Sequence, residues 1–237
     1  MTTTSTTKPD LADTQQDVAN FGTVQPDRNC PLCPRLADFR NAARAEHADW
    51  FNSPVPSFGD PDGRLLIVGL APGLQGANRT GRPFTGDYAG DLLYATLIEY
   101  GFAEGHYQAR PDDGLRLVDC LISNAVRCVP PQNKPLPAEI SNCRPFLVAT
   151  LSAMPHLRAL VALGRVAHDT ALKALKLRSA TAPFAHGATH QIGRLKFYDS
   201  YHCSRYNTNT GVLTPDMFRE VFAAVRHYLD KRRTEDG

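Results

Sequence analysis

The chain has 237 residues, a net charge of +2, and 42% hydrophobic and 21% charged residues, an ordinary balance for a globular protein. No stretch approaches the roughly 20 apolar residues of a membrane helix, which excludes a helical spanning segment. The small charge neither demands nor excludes a nucleic-acid partner, for which a local basic patch matters more than the total.

Residues 1–22 are Thr-rich and lack both the apolar core of a signal peptide and the Arg bias of a transit peptide. They read as a disordered leader, and a cytoplasmic location is expected. NCPLCPRLADFRNAARAEHADW opens on a C-x-x-C and continues as a helix to about His47. After the loop SPVPSFGDPDG, RLLIVGL (64–70) is a short apolar run bounded by turn signals, hence a buried strand. YAGDLLYATLIEYG carries helical spacing and closes on Gly101. LRLVDCLISNAV (115–126) is a second strand, and PAEISNCRPFLVATLSAM starts a helix with Pro in its first turn. LRALVALG (157–164) and RLKFYDSYH (194–202) are further strands, separated by the helix RVAHDTALKAL. TPDMFREVFAAVRHYLDKRR is a final amphipathic helix with a basic end that suits the helix dipole.

This alternation predicts an α/β fold, a three-layer α/β/α arrangement around a mainly parallel four-stranded sheet. One domain is expected over residues 23–232, with a flexible tail at 233–237. Ligands of such sheets sit beyond the carboxyl ends of the strands. Those ends read GLAPG, SNAVRC, ALGR and SYHCS, and a shared site there is the natural expectation.

The six cysteines need an explanation other than disulfides if the protein is cytoplasmic. Cys30 and Cys33 form the C-x-x-C, while Cys128 leaves a strand and Cys143 sits on the following helix. Four thiolates from two distant segments can ligate a tetrahedral metal or an iron–sulfur cluster, and the wide second pair favours the cluster. Cys120, mid-strand, reads as an inert core residue.

The loop GLAPGLQGANRTGRPFTGD (69–87) looks at first like a phosphate loop. It lacks both the G-K-[ST] ending of a P-loop and the G-x-G-x-x-G spacing of a dinucleotide turn. Together with SNAVRCVPPQNKP, SYHCSRYNTNTGVLT and the four cysteines, it resembles the iron–sulfur uracil-DNA glycosylases, in particular their broad-specificity type b branch, also called family five. The resemblance spans roughly residues 27–227.

It implies an enzyme that flips uracil and other deaminated bases (hypoxanthine, xanthine, modified uracils) out of single- or double-stranded DNA. Hydrolysis of the N-glycosidic bond then leaves an abasic site. It implies a 4Fe-4S cluster on Cys30, Cys33, Cys128 and Cys143. Phe84 would stack on the base, Asn124 would read its edge, and Gly69, Leu70, Ala71 and Gly73 would line the pocket. His202 would stabilise the leaving base. Ser204 and Asn207 would lie near phosphates, with Arg205 and Tyr206 as candidates to wedge the base stack.

Two departures stand out. Cys203 replaces the usual Pro after the histidine, and Ala71 stands where other branches place a water-activating carboxylate. Asp87 or Asn78 could orient water instead, and either could equally cap the helix beginning near Tyr88. Arg79 and Arg82 would hold the loop or face DNA. A monomer is expected, associated with the nucleoid in function. The rival readings are a relative that binds or traps lesions without turnover, and a redox protein. The trapping branch carries an inserted basic loop that FTGDYAGDLL lacks.

Overall fold

A computed structural model of the chain describes residues 25–235, leaving out the side chains of 233–235. The leader expected over residues 1–22 and the last two residues of the expected tail lie outside the described residues. In chain order the elements are α1 (Pro34–Glu46), β1 (Phe58–Gly59), β2 (Leu65–Gly69), α2 (Ala77–Thr80) and α3 (Tyr88–Glu99). There follow β3 (Ala103–Glu104), β4 (Arg116–Leu117), β5 (Cys120–Asn124), α4 (Pro137–Ser152), β6 (Ala159–Leu163) and α5 (Arg165–Ala174). The chain ends with β7 (Thr189–Ile192), β8 (Leu195–Ser200), α6 (Arg205–Asn209) and α7 (Pro215–Glu235).

The main sheet has six strands in the order β1-β5-β2-β6-β8-β7, not the four expected. Its four central strands are the expected ones and run parallel. The two additions are antiparallel edges: β1 on β5 and β7 on β8. Both escape a periodicity reading for physical reasons. β1 is two residues long, and β7 is a partly exposed, polar strand (THQI) with no buried run to announce it. Gly193, with φ +55°, turns β7 into β8 and was the available hairpin signal. β3 and β4 form a separate two-stranded ladder.

The strands of the central sheet are buried on both faces, so they read as continuous apolar runs. Alternate residues of β2 serve opposite cores. Leu65 and Ile67 pack with Leu93 and Leu97 of α3 and with Phe218, Phe222 and Val225 of α7. Leu66 and Val68 pack with Leu147 of α4 and with Ala167, Ala171 and Leu172 of α5. Each such side chain contributes about 1.5–3 kcal/mol on burial. The connection leaving β2 therefore crosses one face and that leaving β6 the other. A crevice opens beyond the carboxyl ends where the two diverge.

Candidate functional site

That crevice is a cleft of about 580 Å³, walled by the ends of three parallel strands. β2 delivers Leu70, Ala71 and Gly73, β5 delivers Asn124, and β8 delivers His202, Ser204 and Arg205. The loop between α2 and α3 adds Phe84, Gly86 and Asp87.

Phe84 has a left-handed backbone (φ +53°), an uncommon conformation for a residue with a large side chain. The surrounding chain holds it there. Tyr94 donates its hydroxyl to the Pro83 carbonyl at 2.6 Å. The Tyr107 hydroxyl donates to the Phe84 carbonyl at 3.1 Å and accepts from Gly86 N–H at 3.3 Å. Arg82 makes a two-pronged pair with Asp113 at 2.8 and 2.7 Å, and its guanidinium lies over the Phe58, Tyr94 and Tyr107 rings. Arg82 thus holds the loop, one of the two roles expected for it. Arg79 also bonds within the loop, to the Gln75 carbonyl at 2.9 Å.

Gly69 lies behind the Phe84 ring without itself lining the cleft. A Cβ there would stand 2.6 Å from Phe84 Cζ and closer still to Asn124 Oδ1. Its lack of a side chain is what lets ring and amide come together. Asn124 is buried and its Oδ1 has no hydrogen-bond partner among the described residues. An unsatisfied buried amide costs about 1–3 kcal/mol, so the arrangement invites a ligand edge.

His202 faces Phe84, with ring centroids 5.9 Å apart. Burial lowers its pKa to about 4, so the imidazole is neutral at physiological pH. Gly164 packs beside it, and its φ of +94° is a conformation that favours glycine. Asn207 Nδ2 donates to the His202 carbonyl at 2.8 Å, and Ser204 Oγ caps α6 by accepting from Asn207 N–H at 3.3 Å. Both residues expected near phosphates are thus engaged in shaping the histidine loop. The Arg205 guanidinium lies 5.4 Å from the Tyr88 ring centroid, while Tyr206 is 73% exposed. Cys203 is buried and its thiol donates to the Ala89 carbonyl at 3.5 Å.

The two candidates for orienting water part company. Asp87 caps α3, Oδ1 accepting from Gly90 N–H at 3.3 Å, and its Oδ2 faces Gly73 and Gly76 across the cleft wall. Burial raises its pKa. Asn78 is buried behind the loop and does not line the cleft; its Nδ2 donates to Asn52 Oδ1 at 2.8 Å. Gln75, Tyr88 and Asn133 also line the cleft and went unremarked in the sequence reading. Gln75 and Asn133 lie inside the quoted motifs, which is the signal that could have found them.

The four expected cysteines meet at a second, smaller cavity, with Leu36, Val126 and Phe146 around them. Arg35 binds Glu139 through two bonds of 2.7 Å, tying the start of α1 beside Cys33 to the start of α4 below Cys143. Burial pushes the Cys128 thiol up to about 11 and the Cys143 thiol up to about 12. Polar hydrogens nonetheless aim at the sulfurs: Arg127 N–H at Cys143 (3.3 Å) and Arg40 at Cys128 (3.4 Å). Among the described residues no group of three or more His, Cys, Asp or Glu side chains is arranged to hold a metal ion. Ala71 of the loop after β2 packs against this cysteine nest, so the two sites share a wall. No helix among the described residues is long and apolar enough to cross a membrane.

Comparison with known proteins places the chain in a family. Residues 56–226 match the family described as the uracil DNA glycosylase superfamily. The chain is 46% identical over 198 residues to a type-5 uracil-DNA glycosylase of Thermus thermophilus, covering 81% of this chain and 90% of that one. It is 40% identical over 197 residues to one of Pyrobaculum aerophilum (81% and 86% covered). It is 42% identical over 202 residues to one of Mycobacterium bovis (81% and 75% covered).

Proposed function

This chain belongs to the uracil DNA glycosylase superfamily and to its type-5 branch, and we propose that its cleft receives a base flipped out of DNA. The enzyme removes uracil from DNA by hydrolysing the N-glycosidic bond. The observation that carries the site assignment is the convergence of Phe84, Asn124 and His202 on one cleft, with the buried Asn124 amide short of a partner.

Extruding a base costs a few kcal/mol of unstacking. Phe84 returns part of this, since a base on an aromatic ring is worth about 1–3 kcal/mol. The Asn124 amide offers both a donor and an acceptor, as the edge of uracil requires. Bond cleavage builds negative charge on the departing base and positive charge on the sugar. His202, held neutral by burial, donates an N–H to that developing anion. Asp87 Oδ2 is the carboxylate placed to orient the attacking water; Asn78, behind the loop, is the weaker candidate.

Beyond uracil, the reading extends to hypoxanthine, xanthine and modified uracils, in single- or double-stranded DNA. Support for the wider range is that Ala71, Gly73, Ala77 and Gly86 line the cleft with little or no side chain. Tyr206, exposed beside the cleft, is the better wedge for the base stack; Arg205, against Tyr88, lies along the DNA path.

Cys30, Cys33, Cys128 and Cys143 would hold the 4Fe-4S cluster. Their four-thiol, apolar, N–H-lined setting fits such a group. When bound, it would cross-link the segment at the start of α1, the loop after β5 and α4 through these four thiolates. Ala71 of the cleft loop packs against these cysteines, so holding them together would also brace that loop.

The test is incubation with duplex DNA carrying one uracil, followed by alkaline cleavage at abasic sites. Strand breaks at uracil, hypoxanthine and xanthine are expected. Intact strands with all three would defeat the reading.

A further inference from the structure

Two arginines border the cysteine cavity without a carboxylate partner. Arg40 of α1 is 2% exposed and Arg127 is 1% exposed. Arg40 gives one N–H to Cys128 Sγ at 3.4 Å and another to the Cys30 carbonyl at 3.1 Å; its Nε has no partner among the described residues. Arg127 bonds Gln25 Oε1 (3.0 Å), the Val55 carbonyl (3.3 Å) and Thr150 Oγ1 (3.1 Å), and its Nε is likewise unpartnered. All these partners are neutral groups unless the thiols ionise. Arg44 adds a further positive charge near Arg40.

A guanidinium stays charged in proteins, and burying it without a counter-charge is heavily unfavourable. Two such groups around one cavity require an anion. Four cysteine thiolates carry more negative charge than an iron–sulfur core carries positive, so a bound cluster is a net anion. We propose that Arg40 and Arg127 are the charge-compensating residues of this cluster, raising its reduction potential and slowing its loss. Arg40 acts by direct N–H···S contact and Arg127 by charge together with its own N–H to Cys143. The inference rests on the cluster reading above. Positive charge and hydrogen bonds at the sulfurs favour the reduced, more negative state, which sets the sign.

The experiment uses the cluster-loaded protein. The midpoint potential is read by redox titration of the visible absorbance, and the cluster lifetime by bleaching in chelator. Arg40→Gln is expected to lower the potential by about 59 mV, a tenfold shift in a one-electron equilibrium, and to shorten the lifetime. Arg127→Gln is expected to do the same more weakly, and it carries the test if Arg40→Gln yields no folded protein. Arg40→Lys, which keeps the charge, should retain most of the potential. Leu36→Ala, which loosens packing in the same nest, should shorten the lifetime without moving the potential. Unchanged potentials in both Gln variants overturn the inference, as does an equal shift in Leu36→Ala. A wild-type protein holding no iron or sulfide overturns the cluster reading and this inference with it.

Discussion

The Phe84 ring and the His202 imidazole lie 5.9 Å apart, centroid to centroid, with their planes 28° apart. A base sandwiched between them would need two stacking gaps of roughly 3.4 Å each, more than this separation allows. On the function proposed above, Phe84 would then be a one-sided platform, and His202 would meet the edge of the base resting on it. The two side chains would thus divide the work into holding the base and receiving its charge.

That division predicts a separable defect. His202→Ala should lower the single-turnover excision rate about 100- to 1,000-fold, the usual effect of losing one donor to a developing anion. Affinity for uracil-containing DNA should change little. Single-turnover kinetics alongside a binding titration checks both, and a wild-type rate would remove His202 from the mechanism.

The same histidine links stability to pH. Its folded pKa is near 4, below the value of about 6.5 of an unfolded chain. Between these values the unfolded state binds more protons, so stability falls as pH drops from about 6.5 to about 4. Thermal midpoints should decline over that window, and less steeply in His202→Gln.

Phe84→Ala should cost about 1–3 kcal/mol of stacking, roughly 5- to 150-fold in kcat/KM. Gly69→Ala should do at least as much without touching the ring chemically. Its Cβ would displace Phe84 and Asn124 together. Steady-state kinetics on the two variants decides this, and an unaffected Gly69→Ala would mean that the ring–amide contact is not needed.

Asp87 caps α3 and is proposed to orient water, and the two roles can be pulled apart. Asp87→Asn keeps an oxygen for the α3 cap and removes the charge, so stability should fall by less than about 1 kcal/mol. The excision rate should drop at least tenfold if the carboxylate orients water, a modest share of what acid–base groups supply. A full rate in a stable Asp87→Asn protein would leave it as a helix cap alone.

The Arg82–Asp113 pair is almost wholly buried, at 4% and 0% side-chain exposure. Asp113→Ala strands the guanidinium and should destabilise by about 3–5 kcal/mol, measured by urea unfolding. Arg82 holds the Asp113 carboxyl well below the usual range. Its stabilisation is complete above the unfolded value of about 3.9 and is lost only as pH falls toward the depressed folded value. Wild-type stability should therefore fall more steeply below that point than Asp113→Ala stability.

The central parallel strands, the long helices and the four cysteines were legible from the chain alone. Continuous apolar runs such as LLIV have no other economical fate than a covered sheet. The strand ends pointed to a shared edge, but Phe84, Asn124 and His202 could be singled out only because their motifs resemble those of the iron–sulfur uracil-DNA glycosylases. The short β1 and the polar β7 could not, since neither carries a buried periodic face. Nor could the fate of Asn78. Loop composition offers two polar groups, and only packing turns Asp87 toward the cleft and Asn78 toward Asn52.

By itself, then, the amino-acid order determined the layers of this protein and which segments carry its chemistry, because local apolar patterning governs which faces must be buried. The tertiary structure decided what those segments do to one another. It set the left-handed Phe84 against the bare Gly69, turned Asn207 back onto the histidine loop, and placed two uncompensated arginines beside the thiols. Those relations depend on distances between residues far apart in the chain, and no local pattern encodes a distance.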